Sequence, residues 1–269
     1  MLRHSLFALT ATIALTAAIT LAAPAVAGPF DAALAGAHRS DANKARDVYR
    51  HPAQTLGFFG IKPEMTVVEI SPSAGWFTEV LAPYLREKGT LYAAGSNPAA
   101  SERAAAGVKS FTDRLAANPA VYGSTKVSVF AKDAMDIAPA GSADAVLSFR
   151  NVHNWHMSGF APDAFKAFFA ALKKGGTLGI VEHRLPEDKP DALMTSSGYM
   201  KMSYVKKLAE DAGFKFVGSS AVNANPKDTK GYPKGVWTLP PNYAEGDTDK
   251  AKYTAIGESD RMTLKFMKP

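Results

Sequence analysis

The sequence predicts an α/β domain on a doubly wound, mostly parallel sheet of seven strands, with an antiparallel last strand. Short apolar runs rich in β-branched residues recur between amphipathic segments, the pattern of a parallel sheet covered on both faces by helices. The connections are mostly short and carry Gly, Pro, Ser or Asn. The last run, Arg261 to Met267, alternates apolar and polar residues, as a closing antiparallel strand does.

The 269-residue chain begins with Arg3 and His4, an apolar run from Leu6 to Ala23, and the triplet Ala25-Val26-Ala27. A basic start, an apolar middle and an A-x-A end make a secretory signal. Residues 1–27 are therefore expected to be cleaved after Ala27, leaving a periplasmic or secreted protein with no stable membrane insertion. Residues 28–40 are a small, Gly/Ala-rich lead-in, and the domain is expected over 41–269.

Ser40 or Asp41 can cap a helix running to about Phe59, broken or bent at Pro52. Thr66 to Ile70 is the first strand. Ala74 to Glu87 follows as a helix, with Phe77, Val80, Leu81 and Leu85 on one face and a kink at Pro83. Gly89 to Ala94 is the second strand, Pro98 to Leu115 a helix, and Lys126 to Phe130 the third strand. Ala143 to Phe149 is the fourth. Pro162 to Leu172 is a helix whose Phe165, Phe168 and Phe169 are core residues, and Lys174-Gly-Gly176 turns the chain into a fifth strand, Thr177 to Val181. Ser203 to Ala212 is helical and Phe214 to Ser220 a strand. The stretch 223–260 between the last two strands contains Pro226, Pro233, Pro240 and Pro241. A loop this long is a lid, a binding loop or disorder, and Tyr232, Trp237 and Tyr243 argue against disorder.

The absence of cysteine excludes disulfides, thiolate metal sites and a cysteine nucleophile. The formal charge of +6 is spread along the chain. The pairs Lys173-Lys174 and Lys206-Lys207 are solvated helix faces, and no basic stripe interleaves with aromatics, so nucleic acid is not an expected partner.

Ligands of doubly wound sheets bind beyond the carboxyl ends of the strands, where strand order reverses. After the first strand, Glu69 precedes the turn Ser71-Pro-Ser-Ala-Gly75, in which a side chain at Gly75 would obstruct an approaching ligand. The second strand ends on Gly95, Ser96 and Asn97, and the third is followed by Asp133. After the fourth comes Arg150-Asn-Val-His-Asn-Trp-His156, with His153 a candidate general base and Asn151 and Asn154 placed to orient substrate. Glu182, His183 and Arg184 follow the fifth strand and share the same mouth. His153, His156, His183 and Glu182 are also chemically competent for a divalent metal, but their spacing is not diagnostic and no metal is expected. Arg46, Tyr49, Arg50 and His51 form a polar cluster that, with Asn225 to Lys230, would make a lid if both fold over the sheet's carboxyl edge.

The acidic residue and Gly-containing turn after the first strand resemble class I S-adenosylmethionine-dependent methyltransferases. More closely, the chain is similar to a family of exported predicted methyltransferases, through Arg46-Asp-Val-Tyr-Arg-His-Pro52, Phe58-Phe-Gly-Ile61, Phe149-Arg-Asn-Val-His-Asn-Trp155, Val181-Glu-His-Arg184, Asn225-Pro-Lys-Asp-Thr-Lys230, Gly235-Val-Trp-Thr-Leu-Pro-Pro241 and Ile256-Gly-Glu-Ser-Asp-Arg-Met-Thr-Leu264. The resemblance covers nearly all of residues 38–269. It implies a Rossmann-like class I methyltransferase fold, S-adenosylmethionine as cofactor and methyl transfer to a small-molecule acceptor. The cofactor would lie against Glu69, Ser71, Ser73, Gly75, Ser96, Asp133 and Arg150. His153, Asn151 and His183 would be catalytic, and Asn154, Trp155, Glu182, Arg184 and Arg50 would bind substrate. The family's loop is Trp-Pro-Gly-x-Gly-Trp, where this chain has Ser71-Pro-Ser-Ala-Gly-Trp76, and the usual acid after the second strand is absent. Ser73 and Ala74 therefore place side chains in the turn, and the alternative is a non-catalytic or repurposed small-molecule-binding protein on the same fold.

Overall fold

Thr66–Ile70, the run TVVEI, is buried from Val67 onward and forms the centre of the sheet. We label the strands β1 (Thr66–Ile70), β2 (Thr90–Gly95), β3 (Lys126–Val129), β4 (Ala143–Phe149), β5 (Leu172–Leu185), β6 (Met200–Lys201), β7 (Lys215–Ser220) and β8 (Arg261–Met267). This is a computed structural model that describes residue 1 and residues 28–269. The expected signal sequence, Met1 apart, lies outside the described residues. Among the described residues no helix is long and apolar enough to cross a membrane.

The main sheet runs β3-β2-β1-β4-β5-β8-β7, and the two-residue β6 pairs with β5 off this path. β1, β2, β3, β4 and β5 are mutually parallel, whereas β8 is antiparallel to both β5 and β7. Strand order reverses between β1 and β4, which opens a crevice above their carboxyl ends. Side chains alternate across the sheet. Val68, Ile70 and Val146 pack on one face with Phe165 and Phe168 of the helix Ala161–Ala171. Val67 and Leu147 pack on the other with Val80 and Leu81 of the helix Thr78–Leu85 and Phe59 of the helix Pro52–Phe59.

The N-terminal region differs from the single bent helix expected. It forms three short helices, Asp41–Lys44, Asp47–Arg50 and Pro52–Phe59. His51 takes a left-handed conformation (φ 41°), and Pro52 starts the third helix, where its missing N–H has no intrahelical partner to lose. Upstream, Phe30 and Arg39 are buried, and Arg39 pairs with Asp47, so residues 28–40 pack against the domain.

β5 is much longer than Thr177 to Val181. The Gly-Gly pair stays within the strand, and pairing to β8 extends from Thr177↔Met267 to His183↔Arg261. Glu182, His183 and Arg184 therefore sit in a ladder rather than after it, which fixes their backbone. Residues 152–157, where the sequence pattern predicts no element, form a helix, and the stretch 223–260 contains a 3₁₀ turn (Gly235–Thr238) and the helix Lys250–Ile256. That stretch is tied down by buried polar contacts: Asn223 Nδ2 donates to Thr55 and Thr263, and the Asp260 backbone N–H donates to Asp228.

Candidate active site

The turn after β1 reaches the crevice in strained backbone. Ser71 (φ 51°), Ser73 (φ 53°) and Gly75 (φ 72°) all lie in the left-handed region, whereas Ala74 is not among the residues there. The side chains that carry the cost are thus Ser71 and Ser73, at about 1 kcal/mol each. Gly75 is required for a different reason from the one expected. A Cβ there would meet Arg114, Phe111 and Thr78, so its lack of a side chain admits the neighbouring helix Glu102–Ala117 and not a ligand.

Glu69 is turned into the protein. It accepts a hydrogen bond from Thr78 Oγ1 at 2.6 Å, and burial raises its pKa to about 7 against the opposing effects of Thr78 and Arg114.

Two cavities meet above the switch point. The larger, about 420 Å³, lies between the β1 turn, Ser96 and Asn97 after β2, Phe130 to Lys132 after β3, and Asn151, Asn154 and Trp155. Trp155 is mainly a core residue, set edge-on against Phe130 and Phe168. Asp133 is exposed at the tip of a tight turn closed by the Ala131↔Ala134 bridge, and it lines neither cavity. The smaller cavity, about 150 Å³, is faced by Arg150, Asn151, His153, Asn154 and His183, and roofed by Trp237, Pro240, Pro241 and Asn242. Ser73, Asn151 and Asn154 border both. A third space, about 650 Å³, opens from Ser71 and Ser73 along β2, β3 and the helix Glu102–Ala117.

The side chains after β4 are held by β1 and β5. Asn151 Nδ2 donates to the carbonyls of Ile70 (3.2 Å) and Phe149 (3.3 Å), which locks the two strand ends at the reversal point. Glu182 is fully buried and accepts from the backbone N–H of His153 (3.2 Å) and of His183 (2.7 Å), with His153 Nδ1 at 3.0 Å. If Nδ1 carries the proton, His153 Nε2 is left as the acceptor. His183 Nδ1 is 2.5 Å from Ser259 Oγ. Burial, then His153, Arg150, Arg261 and Arg50, push the His183 pKa well below the ordinary histidine range, so this ring is neutral.

His153, Glu182 and His183 can bring ligand atoms within 4.8 Å of one another. His156 does not join them. The helix Val152–Met157 turns it toward Tyr204 (2.8 Å) and Thr195 (3.2 Å).

Beneath the smaller cavity, the buried carboxylate of Glu258 pairs with Arg46 (2.7 Å), Arg50 (3.1 Å) and Arg261 (3.2 Å). Burial would raise the Glu258 pKa, but Arg261, Arg50, Arg150 and Arg46 outweigh it and hold it down to about 2. Arg50 also lies over the Trp76 ring at 4.6 Å. Arg184 is bound to Asp260 through two hydrogen bonds (3.0 and 2.7 Å); it clamps the long segment onto β5 and lines neither cavity.

Trp237, Asn242, Glu258 and Ser259 were not anticipated as site residues. Their only sequence signal is that all but Asn242 fall in the stretches Gly235 to Pro241 and Ile256 to Leu264.

No protein-family model and no curated protein matches the sequence. Solved structures do. A S-adenosylmethionine-dependent methyltransferase from Aquifex aeolicus superposes with TM-score 0.56 at 16% identity, over 84% of this chain and 93% of its own. The chain has the class I methyltransferase fold. The [4+2]-cyclase SpnF matches it with TM-score 0.56 at 15% identity, over 87% of this chain and 85% of its own. The mitomycin 7-O-methyltransferase MmcR matches with TM-score 0.50 at 12% identity, over 86% of this chain and 59% of its own. A methyltransferase fold that also carries a cyclase does not fix the reaction, which depends on the side chains of the site.

Proposed function

We propose that this protein is an exported S-adenosylmethionine-dependent methyltransferase acting on a small molecule. The observation that carries the reading is the meeting of two cavities at Ser73, Asn151 and Asn154, directly above the reversal of strand order. The larger cavity is within the size range of small-ligand pockets and has a polar rim, and so fits a nucleoside-bearing cofactor. Ser71, Ser73, Ser96 and Asn151 would hold it, with Asn97 limited by its cap on Ala99. The cofactor supplies a methyl group on a sulfonium.

The chain's own residues do the rest. Asn151 and Asn154 position the acceptor at the junction, and the roof around Trp237 restricts water. His153 Nε2 takes the proton of the attacking oxygen or nitrogen while Glu182 orients the ring and stabilises the imidazolium that results. His183, neutral and tied to Ser259, serves as a fixed polar wall.

Calorimetric titration with S-adenosylmethionine and S-adenosylhomocysteine tests the proposal. Saturable heat is expected, and no heat together with no thermal shift at millimolar ligand would sink it. A second reading, a small-molecule-binding protein that no longer transfers methyl groups, is favoured by the side chains of Ser71 and Ser73 in left-handed backbone and by neutral Ser96 where a ribose-binding acid is usual. Export is tested separately, by mass spectrometry of the secreted protein, with a new N-terminus expected at Gly28.

A further inference from the structure

Charge is balanced at the buried Arg39 and not at a group of arginines beside the smaller cavity, of which Arg50 and Arg261 are buried and Arg46 and Arg150 half-buried. Arg39, buried in the N-terminal region, has Asp47 at 2.7 Å and Glu79 at 3.8 Å. At the smaller cavity, by contrast, Arg46, Arg50, Arg150 and Arg261 surround the single carboxylate of Glu258. Three of the four reach it directly. Among the described residues the guanidinium of Arg150 has no hydrogen-bond acceptor and no carboxylate within ion-pair distance, although it faces the cavity. Nη2 of Arg46 and Nη2 of Arg50 are buried without an acceptor, as are Nε of Arg39 and Nη2 of Arg114.

Two other carboxylates lie close by: the oxygens of Glu182 are occupied by two backbone N–H groups and the His153 ring, and Asp260 is bound to Arg184 and Lys230. A guanidinium does not shed its proton in a protein, so the excess positive charge cannot be relieved by titration. Like charges crowded around one carboxylate are unfavourable, and the half-buried Arg150 is the member of the group that a ligand in the cavity can reach. The backbone adds to the impression of a built site. Arg150 is held at φ 63°, a conformation costly for a side-chain-bearing residue, and its N–H is fixed to the Val181 carbonyl at 2.7 Å.

We infer that the smaller cavity binds an anionic oxygen group of the acceptor, a carboxylate or a phosphate, with Arg150 as its direct bidentate partner. Arg46 and Arg50 supply positive potential from behind, and Asn242, Ser259 and Glu258, whose carboxylate is held by three arginines, line the same space. The cavity has room for roughly five waters at about 30 Å³ each, enough for the head of a small organic acid and little more. The inference rests on reading this cavity as the acceptor side. It also moves Arg150 from the cofactor, where the family resemblance put it, to the substrate.

Ligand-observed fluorine NMR tests it on the purified protein, with 4-fluorobenzoate and 4-fluorophenyl phosphate as probes and neutral 4-fluorobenzamide as control. At least one anion is expected to bind, the amide is not, and affinity should fall as salt is raised. Arg150→Gln should weaken anion binding about tenfold or more, and Arg150→Lys, which keeps the charge but loses the fork, by less. Equal binding of amide and anion, no binding of either anion, or unchanged anion binding by the Gln variant would overturn the assignment. Titration of the same samples with S-adenosylhomocysteine separates the two proposals. Anion binding without S-adenosylhomocysteine binding removes only the methyltransferase reading, and the reverse removes only the anion site.

Discussion

Replacing Glu258 with Gln should destabilise the protein severely, although the two side chains are nearly the same size. Glu258 is 3% exposed and is the only carboxylate in ion-pair contact with Arg46, Arg50 and Arg261 among the described residues. Its pKa falls from 4.5 to about 2, which at about 1.4 kcal/mol per pH unit corresponds to about 3 kcal/mol. Because the folded-state pKa is depressed, this stability is fully present above 4.5 and is lost as pH falls through about 2. A neutral Gln cannot recover it, and it leaves buried guanidiniums facing one another, so a loss of about 3–5 kcal/mol is expected. For a domain of this size that is a fall in melting temperature of about 10 °C. Urea unfolding at neutral pH should show a lower midpoint with an unchanged slope, and the two proteins should converge in stability as pH is lowered toward about 2. A difference below about 1 kcal/mol at neutral pH would refute the argument, because it would mean that the arginines do not depend on this carboxylate.

Glu69 should behave in the opposite sense. Its pKa is raised from 4.5 to about 7, so its contribution is fully present below 4.5 and is lost as pH rises through about 7. Glu69→Gln should therefore remove a decline of about 3 kcal/mol across that window, seen as a variant that melts higher than wild type at mildly alkaline pH; equal pH profiles would count against it. Ser73→Gly relieves a left-handed side chain at the junction of the cavities, while glycine loses more entropy on folding, so stability should change by less than about 1 kcal/mol. The same variant should bind S-adenosylhomocysteine more weakly by calorimetry, since Ser73 lines the cofactor cavity; unchanged or tighter binding would remove the Ser73 hydroxyl from the cofactor contacts.

Local chemistry made much of the fold legible. β1, β4 and β8 have the ends expected from their apolar runs, because strand propensity, turn residues and burial agree there. β5 misled the reading for a physical reason. Lys173-Lys174-Gly175-Gly176 has the composition of a turn, and Gly175 does take a left-handed conformation, yet the segment is kept within β5 as an irregularity opposite Ala143 to Ala145, where the Lys268 backbone bonds Gly175 and Gly176. The helix over 152–157 was hidden in the same way. Its residues Val-His-Asn-Trp-His-Met carry no strong helical period, and what fixes it is packing of Trp155 against Phe130 and Phe168 and the grip of Glu182 on the His153 backbone.

The candidate site divides along the same line. The sequence alone placed Asn151, His153 and His183 near one strand-end crevice, since the carboxyl ends of neighbouring parallel strands must share an edge. Which side chain faces which cavity was a tertiary decision. Glu69 turns to Thr78, Asp133 points to solvent, His156 departs toward Tyr204, and Arg150 faces the smaller space beside His153. The four arginines come from three distant parts of the chain, residues 46 to 50, 150 and 261, and converge on Glu258 only when β8 inserts beside β5. Periodicity encodes which face of an element is apolar. It does not encode where buried charges meet, because that depends on contacts between residues more than two hundred positions apart, such as Arg46 with Glu258.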